Sequence, residues 1–543
     1  MRKLPLMLIA IGTVVATALP LASPAHAAAA AEVSHGGRVA SLPAAGPGAA
    51  AAAAVSQTGI AWKNCGAQLQ CAQVSVPLNW HQPDGTHITL AVIRRLAPDQ
   101  EHLIGSMFVN PGGPGESGVD IVRNPLSAGF LAWGGGRFNL VGWDPRGTNA
   151  SDPVRCFTSQ ASEDQFWQGV QIPTTPAQSR AYENRAAGLA RRCGQVSGQL
   201  LDNISTEDTA RDLNYLRQLV GDPALTYVGL SYGTLIGEIY ANLFPTRVRA
   251  MLLNAVVNPV PWMKSAEVRT AYQVGSADAV FAQFVRLCQA AGPARCALAR
   301  HAETVAHRVA GLFARARRAP IPAPHAAPPG VLSYGDLLQT TFTPLRDPDM
   351  WPQYAQELDA AASGDASALE TAARQQRTPA AFTKATTSAA IQCADAPASE
   401  PVSAWPRVIG QLTHAGTLWG PVVGWWTWAP CAANWPGHAT ERYTGPWNAT
   451  TKTPILLINN LYDPAVGYLG AQLAERLLGN AVLLTVNSYG HPVELPSTCA
   501  DTWRVRYLVN LLTPPPGTVC SAQSPFQPGS QPLPATTSSN ERS

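Results

Sequence analysis

Leu225-Thr226-Tyr227-Val228-Gly229-Leu230-Ser231-Tyr232-Gly233-Thr234 is a short apolar run closing on Gly-x-Ser-x-Gly, and a helix-compatible stretch from Leu235 to Phe244 follows it. A strand that turns this sharply into a helix holds its serine at the apex of a strained bend, a nucleophile elbow. Side chains two residues before and two after that serine would collide with the adjoining strand and helix. Glycine stands at both places, Gly229 and Gly233. The helix start behind Ser231 offers free N–H groups and a positive dipole end, and the backbone N–H of Tyr232 is the expected donor to an oxyanion. A bare Gly-x-Ser-x-Gly is a weak signal; the strand before it and the helix after it make this one specific.

A serine hydroxyl needs a histidine to accept its proton and a carboxylate to orient that histidine. On a strand–elbow–helix scaffold the chain order is serine, acid, histidine. Of the 11 histidines, those after Ser231 are His301, His307, His325, His414, His438 and His491. His491, in Ser488-Tyr489-Gly490-His491, follows directly on the apolar run 481–486, at a strand end where catalytic loops gather. Asp463, in Asn460-Leu461-Tyr462-Asp463-Pro464, lies just past the run 455–459 and is the expected acid; Asp395 and Glu494 are weaker competitors. The second oxyanion donor is expected from Asn110-Pro111-Gly112-Gly113-Pro114-Gly115, after Met107-Phe108-Val109, with Gly113 as the donor. Asp144 and Arg146, in Gly142-Trp143-Asp144-Pro145-Arg146-Gly147, read as a structural pair bracing that loop.

Strand patterns at 88–94, 106–110, 138–143, 225–230, 248–254, 455–459 and 481–486 alternate with helical ones, as in a parallel sheet flanked by helices. Ser205-Thr206-Glu207-Asp208 opens one helix with a capping-box pattern, and that helix should end near Gly221. From about 261 to 444 the strand pattern lapses into helices, with a Pro/Ala-rich break at 319–330. The expected class is α/β, an α/β-hydrolase fold with a mostly parallel sheet and an inserted helical cap. Core segments are placed at 59–260 and 445–520, with the cap at 261–444 between them. Tryptophans crowd the cap and its exit, from Trp405 to Trp447, where core packing is the expected role for most.

Arg2 and Lys3, an apolar run to Leu21 and the small-x-small site Ala25-His26-Ala27 read as a signal peptide, 1–27, cleaved after Ala27. Pro20 and Pro24 favour cleavage over an uncleaved anchor. Residues 28–58 form an Ala/Gly-rich linker or pro-segment, and the Pro/Ser/Gln-rich 521–543 a disordered tail. The net charge of +3, lowered further when the leader is removed, gives no footprint for nucleic acid or an anionic membrane surface. Ten cysteines fall into neighbouring couples: Cys65 with Cys71, Cys156 with Cys193, Cys288 with Cys296, Cys393 with Cys431, Cys499 with Cys520. An exported protein should pair all of them, although spacing alone leaves the connectivity open. No Cys or His spacing suits a structural metal, so the expectation is a secreted monomer with no metal or cofactor.

These stretches, with Pro516-Gly517-Thr518-Val519-Cys520 near the end, resemble the secreted tripeptidyl aminopeptidases of actinobacteria, relatives of the prolyl iminopeptidases. The resemblance runs from about 60 to 520. It implies Ser231, Asp463 and His491 as the triad and a TAP-like C-terminal region. The family usually has Gly-Gly-Ser-Gly where this chain has Gly115-Glu116-Ser117-Gly118, commonly a small residue where Glu238 stands, and frequently Asp where Asn254 stands. An aminopeptidase must also hold a free ammonium, for which Glu116 and Glu238 are the candidates. The expected activity is removal of short peptides from free N-termini. A carboxylesterase using the same triad and a catalytically silent envelope binding protein are the alternatives.

Overall fold

The computed structural model describes residues 59–527, apart from 126, 415–417, 426–428 and 493–496. The stretches read as a signal peptide and an Ala/Gly-rich linker, Glu494 and the tail from 528 lie outside the described residues. Ten strands form the main sheet: β1 (Lys63–Gly66), β2 (Leu69–Pro77), β3 (His87–Arg95), β4 (Gly105–Asn110), β5 (Phe138–Trp143), β6 (Leu225–Leu230), β7 (Val248–Asn254), β10 (Ile455–Tyr462), β11 (Ala481–Tyr489) and β12 (Val519–Ser521). Between β7 and β10 the short hairpin of β8 (Ile321–Ala323) and β9 (Gly330–Leu332) pairs separately. The order across the main sheet is β1-β2-β3-β5-β4-β6-β7-β10-β11-β12, antiparallel as far as β5 and parallel beyond it.

The strands read from the sequence are all present. β5, β6 and β7 have the expected limits, while β10 and β11 run on into the loops that carry Asp463 and His491. Every residue of β6 is buried, because helices cover both faces of a parallel sheet. Tyr227 packs with Leu235, Ile236 and Ile239 of the helix Tyr232–Leu243, and with Leu213 and Leu216 of the helix Thr206–Leu219. Val228, one residue on, points to the opposite face with Val122, Tyr507 and Leu508. The capping box at Ser205 and Asp208 forms as its pattern implies. β1, β2 and β12 were not legible: Gln70, Gln73 and Ser75 interrupt the apolar run of β2, and the others are only a few residues long.

Between β7 and β10 the described elements are helices apart from the hairpin, which brackets the Pro/Ala-rich break. Trp405, Trp419, Trp425, Trp435 and Trp447 are buried in packing. The ten cysteines form the five sequential disulfides, Cys65–Cys71, Cys156–Cys193, Cys288–Cys296, Cys393–Cys431 and Cys499–Cys520.

Two expectations need correction. Residues 521–527 are not a loose tail: Ser521 closes β12, and Phe526 is buried against Phe284 and Trp351. Arg146 does not pair with Asp144. It is fully buried and forks onto Asp212 (Nε–Oδ2 2.7 Å, Nη2–Oδ1 2.6 Å), with the carbonyls of Leu78 (2.7 Å) and Asn203 (2.9 Å) accepting from Nη1. A planar guanidinium needs a facing carboxylate in its own plane, and the helix Thr206–Leu219 supplies one there. Asp144 acts alone, accepting from Ser117 Oγ (2.6 Å) and Val119 N (3.2 Å) and so tying the loop after β4 to the end of β5. Arg146→Met, which strands Asp212 in the core, is expected to cost about 3–5 kcal/mol of unfolding free energy, measured by urea denaturation.

Candidate active site

Register in the sheet brings the site together. Asn110 of β4 lies beside Gly229 of β6, Leu230 beside Asn254 of β7, and Asn254 beside Ile458 of β10. The loops leaving these strands, and the one leaving β11, therefore open on the same edge of the sheet. Ser231 sits at the edge with φ 55° and ψ −125°, a conformation an L-residue holds only when its surroundings impose it. The imposing contacts are close. A Cβ on Gly229 would lie 2.4 Å from Gly233 O, and one on Gly233 would lie 2.7 Å from Asn110 O. Ser231 N donates to Asn254 O (2.9 Å), and Thr234 N and Oγ1 donate to Ser231 O (2.8 and 2.7 Å).

The histidine arrives from β11. His491 Nε2 lies 2.7 Å from Ser231 Oγ, and His491 Nδ1 lies 2.8 Å from Asp463 Oδ2. Asp463 Oδ1 is held by the N–H groups of Ala465 (2.8 Å) and Val466 (3.0 Å). An ionised carboxylate only accepts, so Nδ1 carries the ring proton; in neutral imidazole Nε2 is then the acceptor and the serine hydroxyl donates to it. Asp463 and His491 are buried while Ser231 is partly open. Asn460 Nδ2 reaches the carbonyls of Tyr489 (3.0 Å), Gly490 (3.1 Å) and Pro492 (3.3 Å), holding the histidine loop from beneath. The histidine's own N–H donates to Arg346 O (2.7 Å), at the end of the helix Tyr334–Arg346.

The glycine loop after β4 packs against the elbow through Gly112 rather than Gly113. A Cβ on Gly112 would lie 2.4 Å from Leu230 O and 3.0 Å from Tyr232 N. The Gly112 N–H is taken by Asn110 Oδ1 (2.9 Å), and no hydrogen bond among the described residues takes those of Gly113 and Tyr232. The other acids are placed elsewhere. Asp395 accepts from Thr206 N (2.8 Å) and Oγ1 (2.5 Å), away from His491. Glu116 is half-exposed and ion-paired with Lys384.

Glu238 requires a correction. Its side chain is sealed in the core, with neither carboxyl oxygen bonded among the described residues, and burial pushes its pKa well above the ordinary glutamate value. A neutral, enclosed carboxyl does not supply the negative charge that an ammonium requires. Among the described residues no group of three or more His, Cys, Asp or Glu is arranged to hold a metal ion.

A family model described as "TAP-like protein" matches residues 417–520. The chain is 31% identical over 466 residues to "Serine protease Hip1" of Mycobacterium tuberculosis, covering 83% of this chain and 87% of that one. It is 28% identical over 503 residues to "Tripeptidyl aminopeptidase" of Streptomyces lividans, covering 88% and 89%. It is 29% identical over 469 residues to "Carboxylesterase B" of M. tuberculosis, covering 83% and 86%. The chain belongs to this TAP-like family of α/β-hydrolases. It is a serine hydrolase.

The raised pKa of Glu238 has a consequence for this hydrolase's stability. The folded chain keeps that proton where the unfolded chain, titrating near 4.3, has released it. Folding stability therefore falls as pH rises above that value, as far as the folded-state pKa. Glu238→Gln is expected to melt at a higher temperature than wild type at pH 8, the gap closing as pH is lowered toward 4. Melting curves across that range test this.

Proposed function

We propose that the protein is a secreted serine exopeptidase that releases short peptides from free N-termini through an acyl-enzyme. The observation that carries this is the unbroken run of hydrogen bonds from Ser231 Oγ through His491 to Asp463. Ser231 attacks the carbonyl carbon as His491 Nε2 takes its proton. The N–H groups of Gly113 and Tyr232 receive the oxygen as it becomes anionic, and two donors poised in advance for that charge contribute about 3–4 kcal/mol each. The imidazolium, held against the Asp463 carboxylate, returns the proton to the leaving amine; water then repeats the sequence on the acyl-enzyme. The identities with a named serine protease and a named tripeptidyl aminopeptidase support peptides as substrates. Five disulfides support an oxidising compartment, as the leader pattern implies.

A second reading, carboxylester hydrolysis by the same residues, is favoured by the state of the two glutamates. Glu238 is enclosed and neutral, and Glu116 already faces Lys384, so a substrate ammonium would have to displace that lysine.

The test is a panel of Ala-Ala-Pro-type aminoacyl amides, their N-blocked forms and p-nitrophenyl esters. Cleavage of the free-amine peptides, lost on blocking, is expected. Equal cleavage of both forms removes the aminopeptidase assignment, and turnover of esters alone selects the second reading. Ser231→Ala is expected to lower kcat by about 10⁶ and to abolish labelling by a fluorophosphonate probe. Asp463→Asn, which allows the wrong tautomer, should lower kcat by about 10⁴ with KM little changed.

A further inference from the structure

The elbow has a second, side-chain connection that the triad does not use. The Tyr232 phenol is buried and lies 2.6 Å from Thr206 Oγ1. Thr206 is the first residue of the helix Thr206–Leu219; its Oγ1 and N–H both meet the carboxylate of Asp395, at 2.5 and 2.8 Å. Asp395 is the last residue of the helix Pro379–Asp395, beside the Cys393–Cys431 disulfide, and Arg442 Nε donates to its carbonyl oxygen. Burial pushes the Asp395 carboxyl up to about 6, and its Oδ1 faces the Thr206 N–H while its Oδ2 faces the Thr206 hydroxyl, the arrangement in which a carboxylate accepts from both. The single hydroxyl proton of Thr206 is thereby committed to Asp395, and the bond from Tyr232 runs one way, the phenol donating to Thr206. The direction of the whole chain follows from one charge at its far end.

The same helix reaches the other half of the site. A Cβ on Gly115 would lie 3.6 Å from Ser388 N and 3.7 Å from Lys384 O, and Lys384 holds Glu116. One helix from the segment between β7 and β10 therefore touches the loop carrying Gly113 at its middle and, at its end, holds Thr206, which the Tyr232 phenol meets.

We propose that Asp395 is a positioning residue for oxyanion stabilisation, acting through Thr206 and the Tyr232 phenol to hold the Tyr232 backbone N–H in its productive direction. This rests on the hydrolytic roles given above to Ser231 and Tyr232. An N–H aimed at a developing charge contributes through its direction, so releasing the ring that anchors it lowers kcat rather than substrate binding. Tyr232→Phe removes the last bond of the chain and leaves the Thr206–Asp395 contacts whole. Asp395→Asn presents an N–H₂ to Thr206 Oγ1 or loses a bond there, disturbing the chain from its other end.

The experiment measures kcat and KM on p-nitrophenyl acetate, inhibition by a trifluoromethyl ketone that forms a tetrahedral adduct, and melting temperature. It compares wild type, Tyr232→Phe, Asp395→Asn and the double variant. The expected result is about a tenfold lower kcat for Tyr232→Phe, KM within about twofold, and inhibitor affinity weakened by the same factor as kcat. The double variant should be no slower than the slower single variant, since both act on one chain. Tyr232→Phe with wild-type kcat and wild-type inhibitor affinity overturns the proposal, as do single effects that multiply in the double variant. An Asp395→Asn protein that fails to fold leaves the decision with Tyr232→Phe and its inhibitor affinity. If the wild type takes up no fluorophosphonate at Ser231, the hydrolytic roles fall and this proposal with them; labelled wild type with an unaffected Tyr232→Phe removes the positioning role alone.

Discussion

The left-handed turn at Ser231 is the constraint on which the rest of the site depends. Its φ of 55° places the hydroxyl on the rim of the sheet, and a residue with a side chain reaches that conformation only under compulsion. The compulsion is steric and local: Gly229 against Gly233, Gly233 against Asn110, Gly112 against Leu230 and Tyr232. Hydrogen bonds from Ser231 N to Asn254 and from Thr234 to Ser231 O then lock what the glycines permit. Three neighbouring strands take part, so the bend belongs to the sheet as much as to its own five residues.

The segment between β7 and β10 is built into the same frame. It accepts the His491 N–H at Arg346 and crowds Gly490, where a Cβ would lie 2.6 Å from Pro348 Cδ. It covers the loop at Gly115 and clasps Thr206 through Asp395. Trp351 carries the contact further, packing on Tyr489 just before the histidine loop and on Phe526 beyond the last disulfide. Movement of these helices would therefore reach the base and the oxyanion loop by direct contact.

Buried charge is treated in two opposite ways. Arg146 is matched by Asp212 and by carbonyl oxygens, so its burial leaves the guanidinium fully used. Glu238 has no such match, and proton retention is how a carboxyl in that position avoids the cost of an isolated charge. Glu238 stands close in sequence to Ser231, and neither group faces open solvent. Proximity along the chain was a poor guide to which acid meets a substrate.

The sequence by itself determined the elbow, the central strands and the residues that meet there, because these follow from local rules. Glycines flank a serine that needs their space, apolar runs mark strands covered on both faces, and Asp463 and His491 each follow such a run. Cysteine spacing suggested neighbouring couples but left their connectivity open, and the fold closes all five. Only the tertiary structure decided the partner of Arg146, the sealing of Glu238, the burial of Phe526 and the clasp of Asp395 on Thr206. Each of these depends on which surfaces meet across long separations, 189 residues for Asp395 and Thr206, and no local pattern of side chains encodes that. Short edge strands were hidden for a related reason: their pairing is fixed by a neighbour in space and leaves little apolar rhythm in their own few residues.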